Sequence, residues 1–422
     1  MSANAGDISW VTTATALVML MTPALGFFYA GLVRRKNLVS TLIQCMVIFA
    51  VVSIVWALWG YSLVFGPSVG GVIGNLSLVG LNGIDIHSVY AAAPHVPELL
   101  YFAFQLKFAA ITPALIIGAC AERIKFRSLL IFIVLWSTLI YAPIAHWVWN
   151  PNGWLYSLGA IDFAGGIVVH ISAGLSALAA ALVLGKRRGC VFWKDELNGL
   201  GTASVATESK PSNIPYVILG AGLLWFGWFG FNGGSALQAS DLAVSAIVTT
   251  NLAAAAAAVS WMLLDWVRKG KPSAVGISVG AVVGLVAITP AAGYVTVTSA
   301  LIIGLLAGII SNSVASWRLA RTRIDDTLDV FACHGVGGIW GSIATGLFAV
   351  ASVNGVNGLF YGNSGQLVNQ LIAVGVVAPF SFFGSYALLR VINVFSPLRV
   401  SQQEEDTGLD ISQHGEEAYN LE

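Results

Sequence analysis

The sequence predicts an all-α polytopic membrane protein: eleven transmembrane helices arranged as an inverted five-helix repeat plus a final helix, N-terminus outside and C-terminus cytoplasmic. Three observations lead there. Of 422 residues, 57% are hydrophobic and 9% charged, whereas a soluble domain carries about 25% charge. Apolar runs of 18 or more residues recur along the whole length, each long enough to cross a hydrocarbon core about 30 Å thick. The basic residues fall after alternate runs, which orients the chain.

Taken in order, hydropathy places helix one at 8–33, two at 38–65, three at 97–121, four at 128–148 and five at 162–185. Helices six to ten follow at 214–232, 243–266, 273–290, 294–317 and 329–351, and helix eleven at 366–392. Arg34, Arg35 and Lys36 follow helix one, Arg123, Lys125 and Arg127 follow three, and Lys186, Arg187 and Arg188 follow five, with Lys194 and Lys210 behind them. Arg268, Lys269 and Lys271 follow seven, Arg318, Arg321 and Arg323 follow nine, and Arg390 and Arg399 flank the end of eleven. Nineteen of the twenty Lys and Arg residues thus lie on one side, and the positive-inside rule makes that side cytoplasmic. The opening MSANAGDISW has no positive stretch of the signal-peptide kind, so the N-terminus reads as mature and external.

The opposite face carries Asp7, Asp85, Glu98, Asp241 and, at its edge, Asp162. Any positive-inside protein has such a face, and it is equally a basin that concentrates cations. Residues 66–96 and 352–365 are Gly-, Asn- and Ser-rich outer loops, 186–213 a polar inner loop, and 395–422 an acidic tail behind the main domain, 1–394. No soluble catalytic domain is expected from these segments. Cys45, Cys120 and Cys333 lie in apolar runs and Cys190 in the inner loop, which is neither a disulfide framework nor a metal spacing.

Helix five starts at Asp162 and holds His170; helix ten starts at Asp329 and holds His334. With five spans per half (8–185 and 214–351) the second half runs opposite to the first, an inverted repeat that puts the working site at the midplane between halves. Asp162 and Asp329 read as caps for their helices, where a carboxylate meets free N–H groups and the positive dipole end. Asp325 and Asp326 fall in the cytoplasmic mouth. His170 lies ~12 Å along its helix from Asp162, and two intramembrane histidines in equivalent helices are site candidates. A metal centre needs three or four ligands, and only Cys333 offers a third, so no metal or other cofactor is expected. Trp149, Phe108, Phe231 and Trp228 are either packing and belt aromatics or a ring around an opening, where a π face attracts a cation by roughly 0.5–2 kcal/mol. Lys107, inside helix three, has no acidic residue three or four positions away.

The stretches FQLKFAAITPALIIGACAERIKF, PIAHWVW, DFAGGIVVHISAG, WFGFNGGSA, DDTLDVFACHGVGGIWGS and GLDISQHGEEAY resemble the ammonium transporter family (Amt/Mep/Rh), Amt branch, over nearly the whole chain. The resemblance implies a homotrimer in the cell membrane, with a pore in each subunit. It implies an outer ammonium site at Phe108, Trp149 and Ser235, and a phenyl gate at Phe108 and Phe231. It further implies twin pore histidines His170 and His334 beside Trp228, structural support from Asp162, and a tail, Gly408 to Tyr419, on which PII-type signal proteins dock. Ammonium or ammonia, and methylammonium as a near analogue, are the implied substrates; no nucleic acid is.

The chemistry suits that substrate. Alkylammonium groups lose a proton near pH ~10, so deprotonation at pH 7 costs about 4–5 kcal/mol. An intact charge at the bilayer centre costs from about 3 to over 10 kcal/mol. Shedding or sharing the proton is the comparable or cheaper route, closed to potassium, and neutral imidazoles relay protons. Three alternatives stay open: a sensor signalling through the tail, a neutral-gas channel of Rh type, and a membrane enzyme. The last lacks a nucleophile–base constellation or a Gly-rich phosphate loop.

Overall fold

Helix one, Ala5–Leu32, is opened by Asn4, whose side chain accepts the Asp7 N–H at 2.9 Å, and stops where Val33 turns extended before the basic triplet. In the computed structural model, residues 4–189 and 210–419 are described; Cys190 and Lys194 lie outside them. Among the described residues nine helices are long and apolar enough to cross a membrane: Ala5–Leu32, Arg35–Phe65, Glu98–Cys120, Phe126–Leu158, Gly166–Leu184, Ile214–Ala236, Asp241–Lys269, Val297–Arg321 and Ser364–Phe395. These fall at predicted helices one to seven, nine and eleven. Helix eight, Ala274–Ile288, and helix ten, Phe331–Val336 continued by Gly337–Phe348, are shorter. At 1.5 Å per residue the 15-residue helix eight spans only ~22 Å. It is nonetheless buried along most of its length, so protein rather than lipid covers it.

Helix one packs on helices two, three and six, and helix six on seven, eight and one. Those neighbour sets exchange under the pairing one–six, two–seven, three–eight. Helix five lies against ten, and helix eleven lies across five and ten. Glycines make the closest approaches: a Cβ on Gly220 of helix six would stand 2.3 Å from Phe28 N of helix one, the small-residue packing that membrane helices use in place of a hydrophobic drive. The 66–96 loop folds onto helix four through a short hairpin, Ser68–Val69 with Ile73–Gly74, and Trp147 donates to the Val72 carbonyl at 2.7 Å.

The basic residues meet at one end of the bundle, with acidic partners. Buried Arg187 pairs with Asp325 at 2.9 Å and Glu122 at 3.3 Å, and Arg34 with Glu122 at 2.7 Å. Burial pulls the Asp325 carboxyl up, but Arg123 and Arg187 outweigh it and hold the group below the usual carboxylate range. Two charges taken out of water need this density of partners. The tail docks on the same end. A capping box between Ser401 and Glu404 starts the helix Gln402–Thr407. Glu405 receives Arg399 at 2.8 Å, and Arg399 donates to the carbonyl of Leu184, the last residue of helix five, at 3.0 Å. Asp410 accepts the Val39 and Ser40 N–H groups of helix two at 3.1 and 2.7 Å, capping that helix from the far end of the chain. His414 lies edge-on to Phe126 at 5.0 Å. Cys45, Cys120 and Cys333 are buried and free.

Candidate functional site

Asp162 is the first fixed point. Three residues on, Gly165 has φ +115°, a conformation glycine adopts without a Cβ penalty, and the turn brings the carboxylate under the N–H groups that follow. Asp162 Oδ1 accepts from Gly165 and Gly166 at 2.9 and 2.7 Å, and Oδ2 from Ile167 and Val168 at 2.8 and 3.0 Å. N–H groups that a helix start leaves without partners are thereby satisfied. Helix five therefore begins at Gly166 rather than at Asp162, as a π turn, Gly166–Ile171, that carries His170. Such turns are uncommon and gather at functional sites.

Helix ten corrects the sequence reading. Asp329 does not cap it: this residue sits at φ +55° and its carboxylate accepts from Arg318 at 2.9 Å. Asp326 takes the capping place, accepting the Phe331 N–H at 2.7 Å. Nor does Asp326 stand in an open mouth, since it is fully buried; the nearby cleft is lined by Thr327, Leu328 and Asp329. The left-handed turn at Asp329 folds the chain back, so the carboxylate upstream meets the helix start. Burial pushes Asp326 up to about 6. The spacing held the signal: Asp162 to His170 and Asp326 to His334 are both eight residues. His334 also rides on a π turn, Phe331–Val336.

Helices five and ten cross glycine on glycine, a Cβ on Gly174 falling 2.1 Å from Gly335 N. That contact sets the imidazoles with Nδ1 to Nδ1 at 3.3 Å and ring centroids 5.3 Å apart. A neutral pair so joined has one Nδ1–H donating and the other Nδ1 accepting, so the rings are opposite tautomers: one Nε2 is bare and the other protonated. His170 Nε2 has no partner among the described residues. The rings line a narrow apolar cavity with Trp228, Phe231, Leu25 and Val282. It leaves about 10 Å³ for the centre of a water-sized molecule, the lower limit for holding one.

An aromatic line continues from the pair. His170 faces Trp228 at 5.5 Å and Phe231 at 6.2 Å; Phe231 lies 4.2 Å from Phe108, and Phe108 stands edge-on to Trp149 at 5.8 Å. The Trp228 indole donates to Thr289 at 2.9 Å and that of Trp149 to the Asp162 carbonyl at 3.0 Å. Ser235 lies one turn past Phe231 and donates to its carbonyl at 2.8 Å. Phe104, which the sequence reading passed over, packs edge-on against Phe108 at 5.0 Å and faces Gly234; its four-residue spacing from Phe108 puts both on one helix face. Half-buried Lys107 lies elsewhere, its Nζ 5.1 Å from the Phe49 ring centre. Among the described residues no group of three His, Cys, Asp or Glu could hold a metal ion.

Residues 9–419 match the family model described as Ammonium Transporter Family. Ammonium transporter Amt1 of Archaeoglobus fulgidus is 46% identical over 414 residues, 98% of this chain and 99% of that one. The chain belongs to the Ammonium Transporter Family. The ammonium transporter of Bacillus subtilis is 45% identical, with 98% of both chains covered. Among solved structures, Mep2 of Saccharomyces cerevisiae superposes with a TM-score of 0.88 at 35% identity, covering 100% of this chain and 94% of its own. A structure described as a sensor Amt protein does so at 0.87 and 32%, covering 97% and 98%. This family member is a multi-pass helical protein of the cell membrane.

Proposed function

We propose that this transporter-family chain takes up ammonium selectively through a narrow pore within each subunit of a homotrimer. The observation that carries the proposal is the buried imidazole pair, 3.3 Å apart, at the end of an aromatic line. Trp149, Phe108 and Ser235 form the outer cation site, weak enough for fast release. Phe108 and Phe231, their rings tilted 34° to each other with centroids 4.2 Å apart, gate the way inward. Past the gate the apolar walls and Trp228 exclude a hydrated ion, and only a species that sheds or shares its proton proceeds. His170 and His334 receive it as a hydrogen-bonded pair, one Nε2 accepting and the other donating. Asp162 supports the outer site by fixing the turn to which Trp149 is hydrogen-bonded. The two halves, 8–185 and 214–351, form the inverted repeat, with the N-terminus outside and the tail, 395–422, cytoplasmic. There a PII-type protein docks. Asp329, lining the cleft, replaces Asp326 as the mouth residue.

The test is transient current from proteoliposomes given an ammonium jump, with potassium as control. The expected result is a saturable, ammonium-only response that His170→Ala and His334→Ala each abolish. Intact selective flux in both variants overturns the pore assignment. A silent wild type leaves neutral ammonia conduction or the sensor class, and a lumenal pH dye on the same vesicles decides: a rise in pH on the ammonium jump means neutral conduction, and no rise moves the chain to the sensor class.

A further inference from the structure

The turn between helices six and seven carries Ser235 one helical turn past the gate residue Phe231, yet few bonds of its own fix it. Ser235 donates to the Phe231 carbonyl, and Leu237 N donates to the Gly234 carbonyl at 2.9 Å. Leu237 is held at φ +56°, where a residue with a Cβ is strained by roughly 1–2 kcal/mol. Something outside the turn must keep it there.

Helix one does so at two points. Asp7 Oδ1 accepts the Ala239 N–H at 2.7 Å, and the Trp10 indole donates to the Gly233 carbonyl at 3.2 Å. The two residues stand three positions apart, on one helix face, and grip opposite ends of the turn. The packing is close: a Cβ on Gly233 would lie 3.1 Å from the Trp10 ring, and one on Gly234 2.6 Å from Ala14 Cβ. Asp7 is buried. Its position in the first turn of helix one favours the helix dipole, but its Oδ1 is spent on a backbone 232 residues away. Its other oxygen meets the Asn4 amide, with His95 Nδ1 at 3.9 Å.

We infer that Asp7 is a positioning residue for the outer cation site: by holding Ala239 it fixes the turn, and so the place of Ser235 over the Phe108–Phe231 pair. This rests on the function proposed above. Asp7 acts through the backbone and through its accepting oxygen. Loss of that bond frees the strained turn and weakens cation capture, while the histidine pair, on helices five and ten, is untouched.

The experiment is the initial rate of methylammonium uptake into proteoliposomes against concentration. Asp7→Ala is expected to raise KM roughly tenfold, the scale of one buried N–H left without its acceptor, at unchanged maximal rate. Asp7→Asn, which keeps an accepting oxygen, restores the wild-type KM. An unchanged KM in Asp7→Ala overturns the inference, and so does a KM raised equally in Asp7→Asn, which would make charge the agent. Should Asp7→Ala fail to fold, Asp7→Leu, close to Asp in shape but without an accepting oxygen for Ala239, decides: a raised KM supports the inference and an unchanged one overturns it. A wild type without uptake would instead refute the transport reading itself.

Discussion

Replacing Gly174 by Ala is expected to part helices five and ten, and with them the imidazoles. The added Cβ would stand 2.1 Å from Gly335 N, 2.3 Å from Gly335 Cα and 2.9 Å from the His334 carbonyl carbon. All three are backbone atoms, so no side chain can rotate aside. Ordinary contact begins at 3.4 Å, so the crossing must open by about 1.3 Å. The His170–His334 contact, already 3.3 Å long, then passes beyond hydrogen-bond reach. Overpacking of this kind costs about 1–3 kcal/mol, and Ala returns at most about 1 kcal/mol of helix propensity over Gly. The net result is a lower Tm in detergent, and methylammonium uptake is expected to fall about tenfold or more, which corresponds to ~1.4 kcal/mol. Gly222→Ala and Gly375→Ala are the controls, because a Cβ at either meets nothing within 4 Å. Wild-type Tm and uptake in Gly174→Ala would refute the reasoning. A lowered Tm with full uptake would refute only the link from the crossing to the histidines.

Asp162→Asn keeps one accepting oxygen and hence two of the four N–H bonds, while Asp162→Ala keeps none. Stability should fall in that order, by at least about 2 kcal/mol for Ala, read as Tm in detergent. Arg187→Ala strips Asp325 and Glu122 of a buried partner and should cost about 3–5 kcal/mol, read the same way; an unchanged Tm would show that the remaining arginines suffice. Tail docking should loosen with acid. Burial lowers the His414 imidazole below its ordinary value, so the docked form stays neutral while the free tail takes a proton near pH ~6.5. Docking is therefore tightest above that pH and weakens as pH falls through it. Asp410, raised by burial, acts in the opposite sense but from the ordinary carboxylate range near pH ~4 upward. Hydrogen exchange of residues 402–415 between pH 7 and 5 reads the change, and His414→Gln should flatten it.

What the sequence determined by itself is whatever adds up locally. Hydropathy is a sum over about twenty neighbours, so the membrane-embedded helical class and most helix positions were legible, and basic residues suggested the orientation through their own short loops. His170 and His334 stood out because an imidazole within an apolar run is rare. The aromatic residues of the site were nameable only by resemblance, since their spacing fits a lipid belt equally well. The tertiary structure decided the rest. Whether Asp326 or Asp329 caps helix ten depends on a left-handed turn at Asp329, and that turn is held by Arg318, eleven residues upstream. The π turns under both histidines have no composition of their own. Above all, the 3.3 Å between two rings 164 residues apart follows from where Gly174 meets Gly335. A glycine says that close approach is allowed, but only the packed bundle says what approaches.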